Sequence, residues 1–305
     1  MTVFSGVIPP VVVARKDDGS LDSISYKRNL NRLIEAGVNG LFVLGSSGEG
    51  AFVTSAERER ILTDTVSEVR GRVPILVGAI DTQTQRVVEH IKASEKFDID
   101  AIVATAPFYA LGGTDQVEKH FRLLHEATTL PIFAYDIPVC VHTKLPVDLM
   151  VQLGKDGVLA GVKDSSGDDV SFRKLVIANR RAGHPLRLFT GHEVVVDGAY
   201  LAGADGSVPG LANIDPHGYV RQWRSAQSGD WEQVRDEQDR LADLMDVAMI
   251  ATSISGFGAG VGGFKEALKI MGVFDSAKMP DPVAQLTEDE SKQIRKILDK
   301  AGLLD

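Results

Sequence analysis

Short apolar runs alternate with longer amphipathic stretches along most of this chain. The apolar runs are Gly6–Val13, Gly40–Leu44, Ile75–Val77, Ala101–Ala104, Ile132–Tyr135, Leu159–Val162, Leu186–Phe189 and Gly206–Val208. Runs this short, apolar on both faces, read as buried parallel strands. Between them helical spacing predicts Ser23–Ala36, Ser55–Arg70, Thr82–Lys96, Thr114–Thr128, Val147–Leu153, Val170–Ala178, Val194–Leu201 and Pro216–Ser225. Thr54 or Ser55 ahead of Glu57, and Thr114 ahead of Val117, are suited to cap helix starts, and Gly37, Gly71 and Gly203 fall where helices should stop. Eight strand–helix units over roughly 225 residues fit a (β/α)8 TIM barrel, which typically takes ~250. An open doubly wound sheet is the structural alternative. It would more often carry a phosphate loop after its first strand, whereas Val13–Ser20 reads as a plain loop.

After about Gly229 the alternation ends. Trp231–Ala251, Phe264–Met271 and Glu288–Ala301 read as helices without strands between them. The expected organisation is a catalytic barrel over 1–228 and a C-terminal helical extension over 229–305, packed on the barrel or on a neighbouring subunit.

A net charge of −9 speaks against nonspecific nucleic-acid binding. Cys140 is the single cysteine, so no intrachain disulfide can form. Met1–Pro10 lacks a basic segment followed by an apolar stretch, and no apolar run is long enough to span a bilayer. The expectation is a soluble cytoplasmic protein with no membrane partner.

Lys163 ends the run Val158–Val162 and precedes Asp164-Ser-Ser-Gly-Asp168. A lysine at the end of a buried strand is costly unless its charge is paired or removed. Desolvation favours the neutral amine, which is a nucleophile for carbonyl carbon. The alternative is a side chain that reaches solvent or pairs with Asp164 or Asp168.

The loop Gly45-Ser46-Ser47-Gly48-Glu49-Gly50 follows the second strand. Its glycines permit a tight backbone, and its N–H groups and hydroxyls suit a carboxylate or phosphate. Its G-x-x-G-x-G spacing matches neither the dinucleotide fingerprint nor a P-loop, and an unliganded tight loop is equally open. Gly258–Gly263 contains G-x-G-x-x-G but no βαβ unit follows, so it reads as a helix entry or a close packing contact. Tyr135, at the end of the fifth strand, is either a proton relay or a half-buried tyrosine with a wet hydroxyl. Tyr109 follows the fourth strand in the same way. The seven histidines form no metal-binding pattern; His120 and His125 share one helix, and His142 and His192 read as loop residues near the pocket mouth. Nothing near Cys140 visibly lowers its pKa, which favours a structural thiol.

Gly45-Ser-Ser-Gly-Glu49, Tyr135-Asp-Ile-Pro138 and Gly161-Val-Lys-Asp-Ser-Ser-Gly-Asp168, in that order, resemble the dihydrodipicolinate synthase / N-acetylneuraminate lyase family, and Gly262-Gly-Phe-Lys-Glu-Ala-Leu268 also fits it. The likeness runs over nearly the whole chain. It implies a homotetramer of barrels and a class I, pyruvate-type Schiff-base mechanism with no metal or organic cofactor. Carried over, Lys163 would form the imine and Tyr135 would relay protons. Ser46 and Ser47, with Gly48, would hold the pyruvate carboxylate, Ser46 also joining the relay. Tyr109 falls where the synthases contribute a tyrosine across a subunit interface, and Val208 would line the pocket near the imine. Cys140, Ser165, Gly191, His192 and Glu193 would surround the second substrate.

One position departs from the pattern. The synthases carry an arginine shortly after Tyr-x-x-Pro that clamps the second substrate's carboxylate; here that position is Cys140, flanked by Val139 and Val141. A thiol makes no bidentate charge-assisted contact. The expected function is therefore a lyase, aldolase or dehydratase acting on a 2-oxo-3-deoxy sugar acid or a similar hydroxy-oxo acid. The alternatives are a true dihydrodipicolinate synthase, which condenses pyruvate with aspartate semialdehyde, a non-catalytic keto-acid-binding protein and, further off, a phosphate-binding barrel enzyme.

Overall fold

The computed structural model describes residues 4–304; Met1–Val3, the start of the N-terminal stretch read above, and Asp305 lie outside the described residues. Eight strands form one sheet: β1 (Gly6–Val7), β2 (Leu41–Val43), β3 (Ile75–Gly78), β4 (Ala101–Thr105), β5 (Ile132–Asp136), β6 (Gly161–Asp164), β7 (Arg187–Thr190) and β8 (Gly206–Ser207). All neighbours are parallel, in the order β1-β8-β7-β6-β5-β4-β3-β2. The remaining gap, between β1 and β2, closes just beyond β1: Pro10 bridges Phe42 in parallel, Val11 N–H donates to the Phe42 carbonyl at 2.8 Å, and Phe42 N–H donates to the Pro9 carbonyl at 2.9 Å. The result is a (β/α)8 TIM barrel. The first strand is shorter than Gly6–Val13 because Pro9 and Pro10 have no N–H to give the ladder.

The helices follow the expected order: Ser23–Glu35, Ser55–Val69, Thr84–Ser94, Thr114–Ala127, Val147–Lys155, Asp169–Arg181, Val196–Ala202 and Pro216–Ser228. Thr54 and Glu57 form a full capping box, while Gly113, rather than Thr114, occupies the cap of the fourth helix. Gly37, Gly71 and Gly203 lie just past helix ends with φ of +91°, +69° and +109°. A short helix that sequence spacing did not reveal, Pro138–Val141, carries Cys140.

Two apolar layers hold the barrel. Val7, Leu41, Val43, Val77, Ile102, Ala104, Ile132, Ala134, Val162 and Leu188 point outward under the helices. Ile8, Phe42, Leu76, Val103, Phe133, Tyr135, Phe189 and Val208 fill the interior. The two sets alternate along each strand, as the period of two requires. Each buried interior phenylalanine contributes about 1.5–3 kcal/mol from burial.

Beyond the barrel lie Trp231–Leu244, Asp246–Met249, Phe257–Ile270 and Glu288–Lys300. The expected long helix breaks at Met245. The glycine run Gly258–Gly263 lies inside a helix that begins seven residues earlier than expected. A side chain at Gly263 would come within 2.1 Å of the Val247 carbonyl oxygen, so glycine there permits close packing of this helix on Asp246–Met249. Among the described residues no helix is long and apolar enough to cross a membrane.

Candidate active site

The sequence-selected residues gather at the C-terminal ends of the strands, where barrel enzymes keep their chemistry. Lys163 is the third residue of β6 and lies opposite Tyr135 of β5 on one side and Phe189 of β7 on the other. Its side chain is 7% exposed. Its ammonium nitrogen stands 3.9 Å from the centroid of the Tyr135 ring and 5.2 Å from that of Phe42. These are cation–π contacts. Among the described residues Lys163 has no ion-pair partner: Asp164 turns to Lys144 and Ser166, and Asp168 caps the helix Asp169–Arg181. An apolar recess bounded by Ile8, Phe42, Phe133, Phe189 and Val208 underlies it.

The hydroxyls of Tyr135 and Ser46 lie 3.4 Å apart. Ser46 and Ser47 are half-buried on the loop after β2. Backbone bonds close the loop: Glu49 N–H donates to the Ser46 carbonyl at 3.1 Å and Gly50 N–H to the Gly45 carbonyl at 3.0 Å. Leu44 and Glu49, which bracket the serines, both adopt positive φ, +58° and +55°. Strained non-glycine residues persist only where their surroundings over-determine them.

Those surroundings include Glu49 itself. Its carboxylate is fully buried, pairs with Arg15 at 2.7 Å and also pairs with the buried ammonium of Lys265. Lys265 donates to the Lys278 carbonyl as well, at 2.8 Å, and Arg15 reaches Glu57 at 2.8 Å. The Gly-Phe-Lys segment of the C-terminal helices thus anchors the serine loop from behind. Sequence reading passed over this role of Glu49; the available signal was a carboxylate inside a glycine loop, with a lysine on the apolar helix Phe257–Ile270.

A second polar cluster lies on the outer side of β5 and β6. Asp136 and Asp164 are register partners immediately after Tyr135 and Lys163. Lys144 pairs with Asp136 and lies 3.6 Å from Asp164. Burial pushes the Asp136 carboxyl up, opposed by Lys144 and by the Leu145 N–H.

At the rim, Gly191 leaves room for Lys163: a side chain there would meet Lys163 Cε at 3.2 Å and Ser165 Oγ at 2.1 Å. Cys140 is exposed; partial burial pushes its thiol up and the charge of Lys163 opposes this. Burial likewise pushes the Glu193 carboxyl up, against the N–H groups of Leu211 and Gly210 and the charges of Lys163 and His192. His192 pairs with Asp169 at 3.2 Å, and exposed His142 has φ +54°. Among the described residues no hydrogen bond or ring contact joins Tyr109 to Lys163, Tyr135 or Ser46. Tyr109 stands 93% exposed with φ +71°.

The model of the dihydrodipicolinate synthetase family matches residues 3–301. The chain belongs to that family. An uncharacterized DapA-like lyase of Halobacterium salinarum is 33% identical over 301 residues, covering 98% of this chain and 94% of that protein. A 4-hydroxy-tetrahydrodipicolinate synthase of Phenylobacterium zucineum is 30% identical over 244 residues, 79% of this chain and 81% of its own. Among solved structures, YagE, a prophage protein of E. coli K12 crystallised with pyruvate, superposes with a TM-score of 0.92 at 25% identity over 99% of each chain. Family membership makes this chain a lyase.

Proposed function

We propose that this lyase cleaves a 2-oxo-3-deoxy sugar acid, or a similar hydroxy-oxo acid, through a pyruvate-type Schiff base on Lys163. The observation that carries the reading is the apolar seat of Lys163, unpaired and facing the Tyr135 ring, with the Tyr135 and Ser46 hydroxyls close together. The amine of Lys163 adds to the C2 carbonyl and water leaves, giving a protonated imine. The Ser46–Gly48 segment holds the carboxylate and fixes the orientation, the entropic part of catalysis. Tyr135 takes the C4 hydroxyl proton as the C3–C4 bond breaks, and the electron pair passes into the imine to form an enamine. Protonation at C3 and hydrolysis then release pyruvate. If a hydroxyl leaves instead of an aldehyde, the same imine supports dehydration.

Tyr109, exposed in one chain, fits a contact with a second subunit, and a homotetramer is part of this reading. So are a cytoplasmic location and a division into a barrel over 1–228 and an extension over 229–305. Val208 would line the floor beside the imine; Cys140, Ser165 and Gly191 would face the second substrate.

A second reading is a true synthase, which the Phenylobacterium relative favours. Cys140 disfavours it, because a neutral thiol cannot clamp the carboxylate of aspartate semialdehyde. The test is intact mass after pyruvate and borohydride, on wild type and Lys163→Ala. A pyruvyl adduct on wild type alone supports the Schiff base; its absence from folded wild type rejects it. Formation of cyclic product from pyruvate and aspartate semialdehyde would select the synthase instead.

A further inference from the structure

We infer that Lys144 is a positioning residue for this site, its single ammonium clamping Asp136 and Asp164 and so holding together the strand ends that carry Tyr135 and Lys163. The inference rests on the Schiff-base reading of those two residues.

The clamp follows from strand geometry. Successive side chains alternate between faces, so when Tyr135 and Lys163 point into the barrel, Asp136 and Asp164 point out. The register pairs the two carboxylates just as it pairs the two inward residues. Both carboxylates are buried, and like charges side by side in a parallel ladder repel. A cation between them removes the repulsion. Lys144 is that cation: it pairs with Asp136 and lies 3.6 Å from Asp164.

Other bonds make the cluster a joint between segments. Asp136 Oδ1 accepts from Leu145 N–H at 3.1 Å, so both side-chain oxygens of Asp136 are taken by the 144–145 segment. Asp164 Oδ1 accepts from the N–H and hydroxyl of Ser166, at 2.8 and 2.7 Å. Among the described residues Asp164 Oδ2 has no hydrogen-bond partner, and it depends on Lys144 for compensation. Ser165 N–H donates to the Asp136 carbonyl at 2.9 Å and Gly191 N–H to the Asp164 carbonyl at 2.7 Å. The β5 loop, with Cys140 on it, is thereby fixed to the same two strand ends. Lys144 is about one-third exposed, and among the described residues its ion pairs are with these two outward-facing carboxylates, so it is placed to act through them.

The readout uses pyruvate alone. Enzyme-bound enamine exchanges the C3 protons of pyruvate with solvent deuterium, which NMR follows. Borohydride trapping at varied pyruvate gives apparent affinity. Lys144→Met should slow the exchange rate constant at saturation on the order of tenfold to a hundredfold, the cost of a small misplacement at a reacting centre. Apparent pyruvate affinity should stay within about threefold, because the serine loop is untouched. Lys144→Arg, which keeps the cation, should recover most of the rate; a merely structural lysine would give no such split. If Lys144→Met fails to fold, Asp136→Asn carries the test with the same slowed exchange expected. Exchange at the wild-type rate in the folded variant overturns the inference while leaving the Schiff base intact. Absence of any wild-type adduct overturns both.

Discussion

The ammonium nitrogen of Lys163 lies 3.9 Å from the centroid of the Tyr135 ring, across the β5–β6 register, and the hydroxyl of that same ring lies 3.4 Å from Ser46. One side chain therefore presents its π face to the candidate nucleophile and its hydroxyl to the serine loop. The two roles can be separated.

Tyr135→Phe keeps the ring face and removes the hydroxyl. Packing against Phe42 and the contact with Lys163 persist, so trapping of the pyruvyl adduct should change little. Cleavage of a substrate such as 2-keto-3-deoxygluconate should slow by about 10²–10⁴, the usual worth of a positioned acid–base group. Comparing adduct titration with turnover checks this; turnover near wild type would remove tyrosine from the mechanism.

The barrel was readable in sequence because short continuous apolar runs and helix caps are local signals. All eight strand runs recur as strands, and the Thr54–Glu57 box forms as its spacing demands. The discrepancies arise where distant contacts override local preference. Gly258–Gly263 lies within a helix whose Gly263, lacking a side chain, admits the backbone of Val247 and Ala248, a partner that no window around residue 260 contains. Lys163 and Tyr135 were legible as strand-end residues. The ion pairs behind them were not: Glu49 meets Lys265 from 216 positions away. Tyr109 was legible as a residue following the fourth strand, and it stands 93% exposed.

The buried pair of Glu49 and Lys265 gives a stability test. Lys265→Met leaves Glu49 with Arg15 alone. Removing one partner of a buried pair costs about 3–5 kcal/mol, and the remaining Arg15 places this variant near the lower figure. Urea unfolding should show that loss. A midpoint unchanged from wild type would mean the pair is not formed as described.

His120 predicts a stability that falls in acid. Burial pushes its pKa down to about 4, only partly opposed by its contact with the Thr105 carbonyl. The fold holds the neutral ring, hydrogen-bonded near Thr84 at 2.9 Å. A base whose folded pKa is depressed contributes stability fully present above its unfolded value, near 6.5, and lost as pH falls towards about 4. The loss is about 3 kcal/mol at most, from ~1.4 kcal/mol per unit. Urea midpoints measured across that window should decline less steeply in His120→Gln than in wild type. Parallel slopes would show that the ring is not the group responsible.

Gly191 offers the sharpest test of the seat of Lys163. A methyl group there would meet Ser165 Oγ at 2.1 Å, Ser165 Cβ at 3.2 Å and Lys163 Cε at 3.2 Å. The first contact is with the end of a side chain that can rotate away, so folding should suffer by no more than about 1–3 kcal/mol, the usual cost of overpacking. The contact with Cε cannot be relieved without moving the amine. Gly191→Ala should therefore slow formation of the pyruvyl adduct on the order of tenfold or more, because displacement of a reacting group costs orientation. Adding Ser165→Ala removes the 2.1 Å contact with Oγ while keeping that with Cβ, and the new methyl can then shift into the space of the lost hydroxyl, which should return part of the trapping rate. Borohydride trapping at short times on both variants measures this. Equal rates in wild type and Gly191→Ala would mean that Lys163 reacts from a position other than the one it occupies beside Gly191.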